Sequence, residues 1–156
     1  MFNVILKSGK DASPRRFHPW IFSGAIKKIK TAAGQDAEPQ EGDLVRVTSN
    51  KGDFLGTGHY QNGSIAIRIL SFQDIEIDEI FWTNRIQEAY ELRQQIHLTD
   101  NKHTNIYRLI HAEGDGLPGL ILDYYAGTVV IQSHSIGMHY AKDIIVKAIK
   151  NVYGDK

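Results

Sequence analysis

The chain has no cysteine among its 156 residues, which excludes disulfides, thiolate metal sites and a thiol nucleophile within it and suits a reducing compartment. It also lacks any apolar run long enough to span a bilayer. The opening Met1-Phe2-Asn3-Val4-Ile5-Leu6-Lys7 offers only a brief apolar stretch, too short for a signal-peptide core, so a cytoplasmic protein without a membrane partner is the expectation. None of the seven histidines pairs at i, i+4 around a glutamate as a zinc hydrolase requires, and no metal site is assigned. Internal repeats and low-complexity segments are absent too. What remains, 42% hydrophobic and 23% charged residues, is the composition of a soluble globular chain sized for one ordinary domain or two small ones.

Net charge is also missing, because 18 basic residues balance 18 acidic ones. The balance is uneven along the chain. Residues 1–72 carry ten Lys/Arg against six Asp/Glu, net +4, and residues 73–156 carry eight against twelve, net −4. A basic front half can attract a polyanion, although scattered solvated charge gives the same count.

The front half reads as short strands divided by turns. Residues 44–47 and 54–60 flank the turn Ser49-Asn50-Lys51-Gly52, and Gln61-Asn62-Gly63 leads into Ile65, Ile67 and Ile69 at period two. Residues 20–29 form a further strand and residues 31–41 a loop, so the first domain, 1–72, is expected to be a small β-barrel. After Phe72 the pattern becomes helical over about 78–97, with Trp82, Ile86, Ala89 and Ile96 expected on one buried face. Three strands, 106–110, 120–124 and 129–133, and a last helix carrying Tyr140, Ala141, Ile144, Ile145, Ala148, Ile149 and Val152 make the second domain, 73–156, α+β. The sequence stops directly behind that helix. Gly154 could cap it and lead into another element, so a further domain is expected after Lys156, with a natural terminus as the alternative.

Gly114-Asp115-Gly116-Leu117-Pro118-Gly119 matches the spacing of the dinucleotide-binding fingerprint. That fingerprint needs a helix behind it, whose N-terminus meets the pyrophosphate, and here a short strand and a second β-rich run follow instead. The glycines are therefore expected to shape a turn, and no cofactor-binding residue is assigned. Glu113, Asp115 and Asp123 lie near Arg108, His111 and His134. Acid/base chemistry is one reading of that group, and structural ion pairs and turn hydrogen bonds are the simpler one. No catalytic residue is assigned. In Arg15-Arg16-Phe17-His18-Pro19-Trp20-Ile21-Phe22, cations and aromatics meet at a rigid turn, where arginine could pair with phosphate and Phe17, His18 or Trp20 could stack on an unpaired base; Arg15, Arg16 and His18 are the candidates for RNA contact, while Trp20 and Phe22 are expected in the core.

Two segments, His18-Pro19-Trp20-Ile21-Phe22-Ser23-Gly24-Ala25-Ile26 and the run from Tyr107 to Asp123, resemble the bacterial large-subunit ribosomal RNA cytosine-carbon-5 methyltransferases in order and separation. The resemblance implies an N-terminal PUA domain, a central α+β domain and a C-terminal Rossmann-like catalytic domain that uses a cysteine and S-adenosylmethionine. Only the first two would lie in this chain, which would then bind and position ribosomal RNA, with the cofactor held in the domain that follows. Arg108, Glu113, Asp115, Gly116, Pro118, Gly119 and Asp123 match the family's turn without an assigned role. Homodimerisation of a full-length protein stays open, and the alternative function is a stand-alone RNA-binding protein without catalytic activity.

Overall fold

A computed structural model describes residues 1–154, and the chain divides into two compact units, Met1–Ile75 and Glu76–Lys156. Each is built around its own sheet.

The first unit contains β1 (Phe2–Leu6), β2 (Trp20–Phe22), β3 (Ile26–Lys30), β4 (Leu44–Thr48), β5 (Phe54–Tyr60) and β6 (Ile65–Ser71). They form one sheet in the order β2-β6-β5-β4-β1-β3, antiparallel throughout except for the β1–β4 pair. The two edge strands, β2 and β3, are consecutive in the chain and joined by a single 3-10 turn, Ser23–Ala25. A flat sheet would hold its edges five strand spacings apart, roughly 24 Å. The sheet must therefore curl on itself, and the result is a half-barrel. Alternate residues turn inward, so Val4, Leu6, Ile21, Val45, Val47, Leu55, Ile67 and Ile69 fill the interior. Each side chain so buried contributes about 1.5–3 kcal/mol.

The opening residues form strand β1, whose parallel partner β4 lies some forty residues away, with Val4 and Leu6 buried and Phe2 packed against the same core. The expected strand over 20–29 and the expected burial of Trp20 and Phe22 are corrected here. Residues 20–29 are not one strand. A register shift at Ile21/Phe22 and the 3-10 turn split them, so that this run pairs with β6 at its start and with β1 at its end. Ile21 faces inward, so strand alternation puts Trp20 and Phe22 on the other face: Phe22 is 50% exposed and Trp20 half-buried, and neither belongs to the core.

The second unit contains α1 (Glu79–Gln95), β7 (Ile106–His111), β8 (Leu120–Tyr125), β9 (Thr128–Ser133), α2 (Ile136–Tyr140) and α3 (Lys142–Tyr153). Its strands form an antiparallel sheet in chain order, β7-β8-β9, with α1 packed on α3 and β7. The carboxylate of Asp78 caps α1 by accepting the Phe81 N–H at 2.9 Å, an arrangement whose loss costs about 1 kcal/mol. Trp82, Ile86 and Ala89 are buried as their spacing predicts. Ile96 is 56% exposed because α1 ends at Gln95, and beyond that point the chain leaves the helical phase that would have carried its side chain inward. The last helix is two helices broken at Ala141, and Tyr140, which ends the first, is exposed. Among the described residues no helix is long and apolar enough to cross a membrane.

Candidate nucleic-acid interface

The segment before β2 is a 3-10 turn, Pro14–Arg16, whose proline fits the first helical position and whose end is closed by Phe17 N–H donating to the Pro14 carbonyl. This turn exposes Arg15, Arg16, Phe17 and His18 together. Arg15 is engaged within the fold. Its guanidinium donates to Asp11 Oδ2 at 2.7 Å and to Asp53 of the β4–β5 turn, and its hydrogen bonds hold both carboxyls below the usual carboxylate range. Arg16 differs: Nε donates to the Ala12 carbonyl at 3.3 Å, and among the described residues it forms no ion pair. His18 accepts the Trp20 N–H through Nδ1 at 3.2 Å and sets its ring edge-to-face on Trp20, centroids 5.7 Å apart.

Beside this turn lies a polar pocket of about 380 Å³ lined by Ser8, Gly9, Asp11, Arg15, Ser49, Asn50, Lys51 and Asp53. Lys27 Nζ braces its wall by donating to Asn50 Oδ1 at 2.8 Å. The two carboxylates in the lining neutralise the cations around them and disfavour a phosphate inside. Arg16, outside the pocket and uncompensated, is the better anion contact. Phe22 and Trp20, both expected in the core, lie outside it: Phe22 faces outward and Trp20 is half-buried. One signal was there to find: residues 12–35 hold Arg15, Arg16, Lys27, Lys28 and Lys30 without a single carboxylate.

The second unit's glycine-rich turn resolves into structure. Arg93 of α1 makes a bidentate pair with Asp115, both bonds 2.7 Å, with side chains only 10% and 7% exposed. Asp115 also accepts the His111 N–H at 2.6 Å, and Arg93 Nε donates to the Arg108 carbonyl at 3.0 Å. Arg108 in turn clasps Asp123 at 2.8 and 3.1 Å, and that pairing pushes its pKa up. Gly116 and Gly119 adopt φ of 70° and 88°, which side-chain-bearing residues avoid, and a Cβ on Gly119 would lie 2.9 Å from Ser135 Oγ. Pro118 is buried between them, and Glu113 lies exposed on the short 3-10 turn. Arg93 escaped the sequence reading although it falls eleven residues after Trp82, on the same stripe as Ile86 and Ala89.

This turn does not fit S-adenosylmethionine. Strand β8 follows it instead of a helix, and the N–H groups of Gly116, Leu117 and Leu120 donate to carbonyls of the turn itself. Among the described residues no three His, Asp or Glu side chains gather as metal ligands.

Residues 4–72 match the family model of a PUA-like domain. The chain is 38% identical over 154 residues to the ribosomal RNA large subunit methyltransferase I of Alteromonas mediterranea and 37% identical over 151 residues to that of Vibrio cholerae. These alignments cover 97% and 96% of this chain but only 37% and 36% of the relatives, so the chain spans little more than a third of their length. Its fold is shared with a candidate SAM-dependent methyltransferase from Streptococcus mutans, TM-score 0.78 at 21% identity over 98% of this chain and 38% of that one. It is shared equally with a candidate methyltransferase complexed with SAH, TM-score 0.79 at 21% identity, over 98% of this chain and 38% of that one. The chain thus carries a PUA-like domain in its first half and, taken whole, is homologous to the N-terminal part, some 37%, of the ribosomal RNA large subunit methyltransferase I proteins.

Proposed function

We propose that this chain is the RNA-binding and substrate-positioning part of an S-adenosylmethionine-dependent enzyme that methylates cytosine in large-subunit ribosomal RNA in the cytoplasm. The reading is carried by 37–38% identity sustained over 96–97% of the chain with proteins named ribosomal RNA large subunit methyltransferase I. In it, residues 1–72 hold the RNA, residues 73–156 connect to a catalytic domain, and S-adenosylmethionine binds beyond this chain. RNA contact falls to Arg15, Arg16 and His18. Arg16 carries the larger share, because Arg15 is already compensated by Asp11 and Asp53.

The test is filter binding of structured RNA across a salt series. Arg16→Ala is expected to weaken binding and flatten the slope of log affinity against log salt by about one unit, the value for one phosphate contact. Arg15→Ala should weaken it as well, through a different route, since it leaves two carboxylates facing the polyanion. Unchanged affinity and slope in a folded Arg16→Ala variant would remove this turn from the RNA surface.

A further inference from the structure

We propose that the aromatic strip formed by Phe17, His18, Trp20 and Phe22 is a stacking platform for unpaired bases, so that the chain selects looped or single-stranded RNA over duplex. This rests on the RNA-binding reading and adds which RNA is bound and by what.

The strip lies on an edge strand: β2, three residues long, pairs among the described residues with β6 alone. Phe17 is 72% and Phe22 50% exposed. The rings are mutually braced: His18 meets Trp20 edge-on, and Trp20 meets Phe22 the same way with centroids 6.5 Å apart. Phe17 is fixed by an edge-to-face contact with Phe72 at 5.3 Å. Such bracing holds rings in place before a base arrives, which lowers the entropy cost of stacking.

Phe17 also occupies a strained position. It ends the 3-10 turn with φ 61° and ψ 25°, a left-handed conformation that glycine adopts freely and that costs a phenylalanine about 1 kcal/mol or more. Here a strained position holds a large apolar ring mostly in water.

Charge decides the occupant. The run 12–35 that contains the strip has five cations and no carboxylate, and Arg68 pairs in register with Trp20 from the neighbouring strand. A twofold contact between two copies would lay this patch on itself and bring like charges together. A nucleic acid supplies phosphates for the cations and π-faces for the rings, whichever base is present. A-form duplex offers the phosphates alone, its bases being stacked and its major groove too narrow for side chains.

The experiment uses the whole chain, with Phe17→Gly and Phe22→Ser singly and together, and three probes of matched charge. These are a single-stranded RNA of about a dozen nucleotides, a blunt duplex, and an abasic strand. Each substitution is expected to weaken single-strand binding on the order of 10-fold. Affinity for duplex and abasic strand, and the salt slope, should stay unchanged. Phe17→Gly should leave the thermal midpoint unchanged or raised, which a structural ring would not allow. Ring variants that bind single-stranded RNA like the parent, or lose all three probes equally, overturn the platform. If Arg16→Ala still weakens binding in that case, the RNA-binding reading survives without it. A parent chain that binds no RNA overturns both. Should Phe22→Ser instead convert a dimer to a monomer in sedimentation with RNA affinity intact, the strip is a protein interface and the proposal fails.

Discussion

Asp115→Asn is expected to destabilise the second unit by about 3–5 kcal/mol, the cost of breaking a buried ion pair from one side. The substitution keeps the side chain's shape and removes its charge. Arg93 is then left buried with its guanidinium facing a neutral amide. The His111 N–H also loses a charged acceptor at 2.6 Å, in the segment joining β7 to the glycine-rich turn. A unit of this size has a total stability on the order of 4–12 kcal/mol, so the loss consumes a large part of it. Trp82, the one tryptophan of residues 76–156, reports the transition in urea through its fluorescence. A loss below about 1 kcal/mol would mean that water reaches the pair and that it behaves as a surface contact. Replacing both partners by apolar residues, Arg93→Met with Asp115→Leu, should recover part of the loss, because no buried charge is then stranded.

That pair marks the limit of what the sequence reveals. Local signals were read well. Period-two isoleucines gave β6, the serine-to-glycine turn gave the β4–β5 hairpin, and Asp78 announced the start of α1. The missing helix behind Gly114-Asp115-Gly116-Leu117-Pro118-Gly119 identified a turn between strands. Features set by distant partners were not legible. The strand character of β1 comes from β4, which face of β2 turns inward is set by its pairing with β6, and Arg15 is held by Asp53, 38 residues away. In the candidate stretch, sequence reading left Arg15, Arg16 and His18 to the surface, where the structure has them, and misjudged the burial of Trp20 and Phe22. An aromatic residue at a strand edge has the same local signature whether it faces the core or the solvent.

Mild acid should destabilise the first unit through a single histidine. His59 lies on β5, cross-strand from Leu44 of β4 and Arg68 of β6, and is buried. Burial pushes its pKa down from 6.5 to about 4, because a charged imidazolium is poorly solvated there. The folded value lies below the unfolded one, which sets the direction. Above pH 6.5 neither state takes up the proton, and nothing is lost. Between 6.5 and about 4 the unfolded chain binds a proton that the folded chain refuses, and stability falls by up to about 1.4 kcal/mol per pH unit. The total is about 3 kcal/mol, after which both states are protonated and the loss stops growing. The carboxylates of Asp11, Asp53 and Asp74 are lowered by hydrogen bonds from Arg15 and Arg46, so their contribution is present above an ordinary carboxylate pKa and fails only as pH drops below it. The two windows therefore separate near pH 4. Urea midpoints followed by Trp20, the one tryptophan of residues 1–75, should decline from pH 6.5 to 4.5 in the parent and stay nearly level in His59→Gln. The level profile matters more than the variant's absolute stability, because glutamine will not pack as the imidazole does. A parent profile that is itself level over this range would show His59 accepting its proton in the folded state without penalty, and acid sensitivity would then begin with the carboxylates.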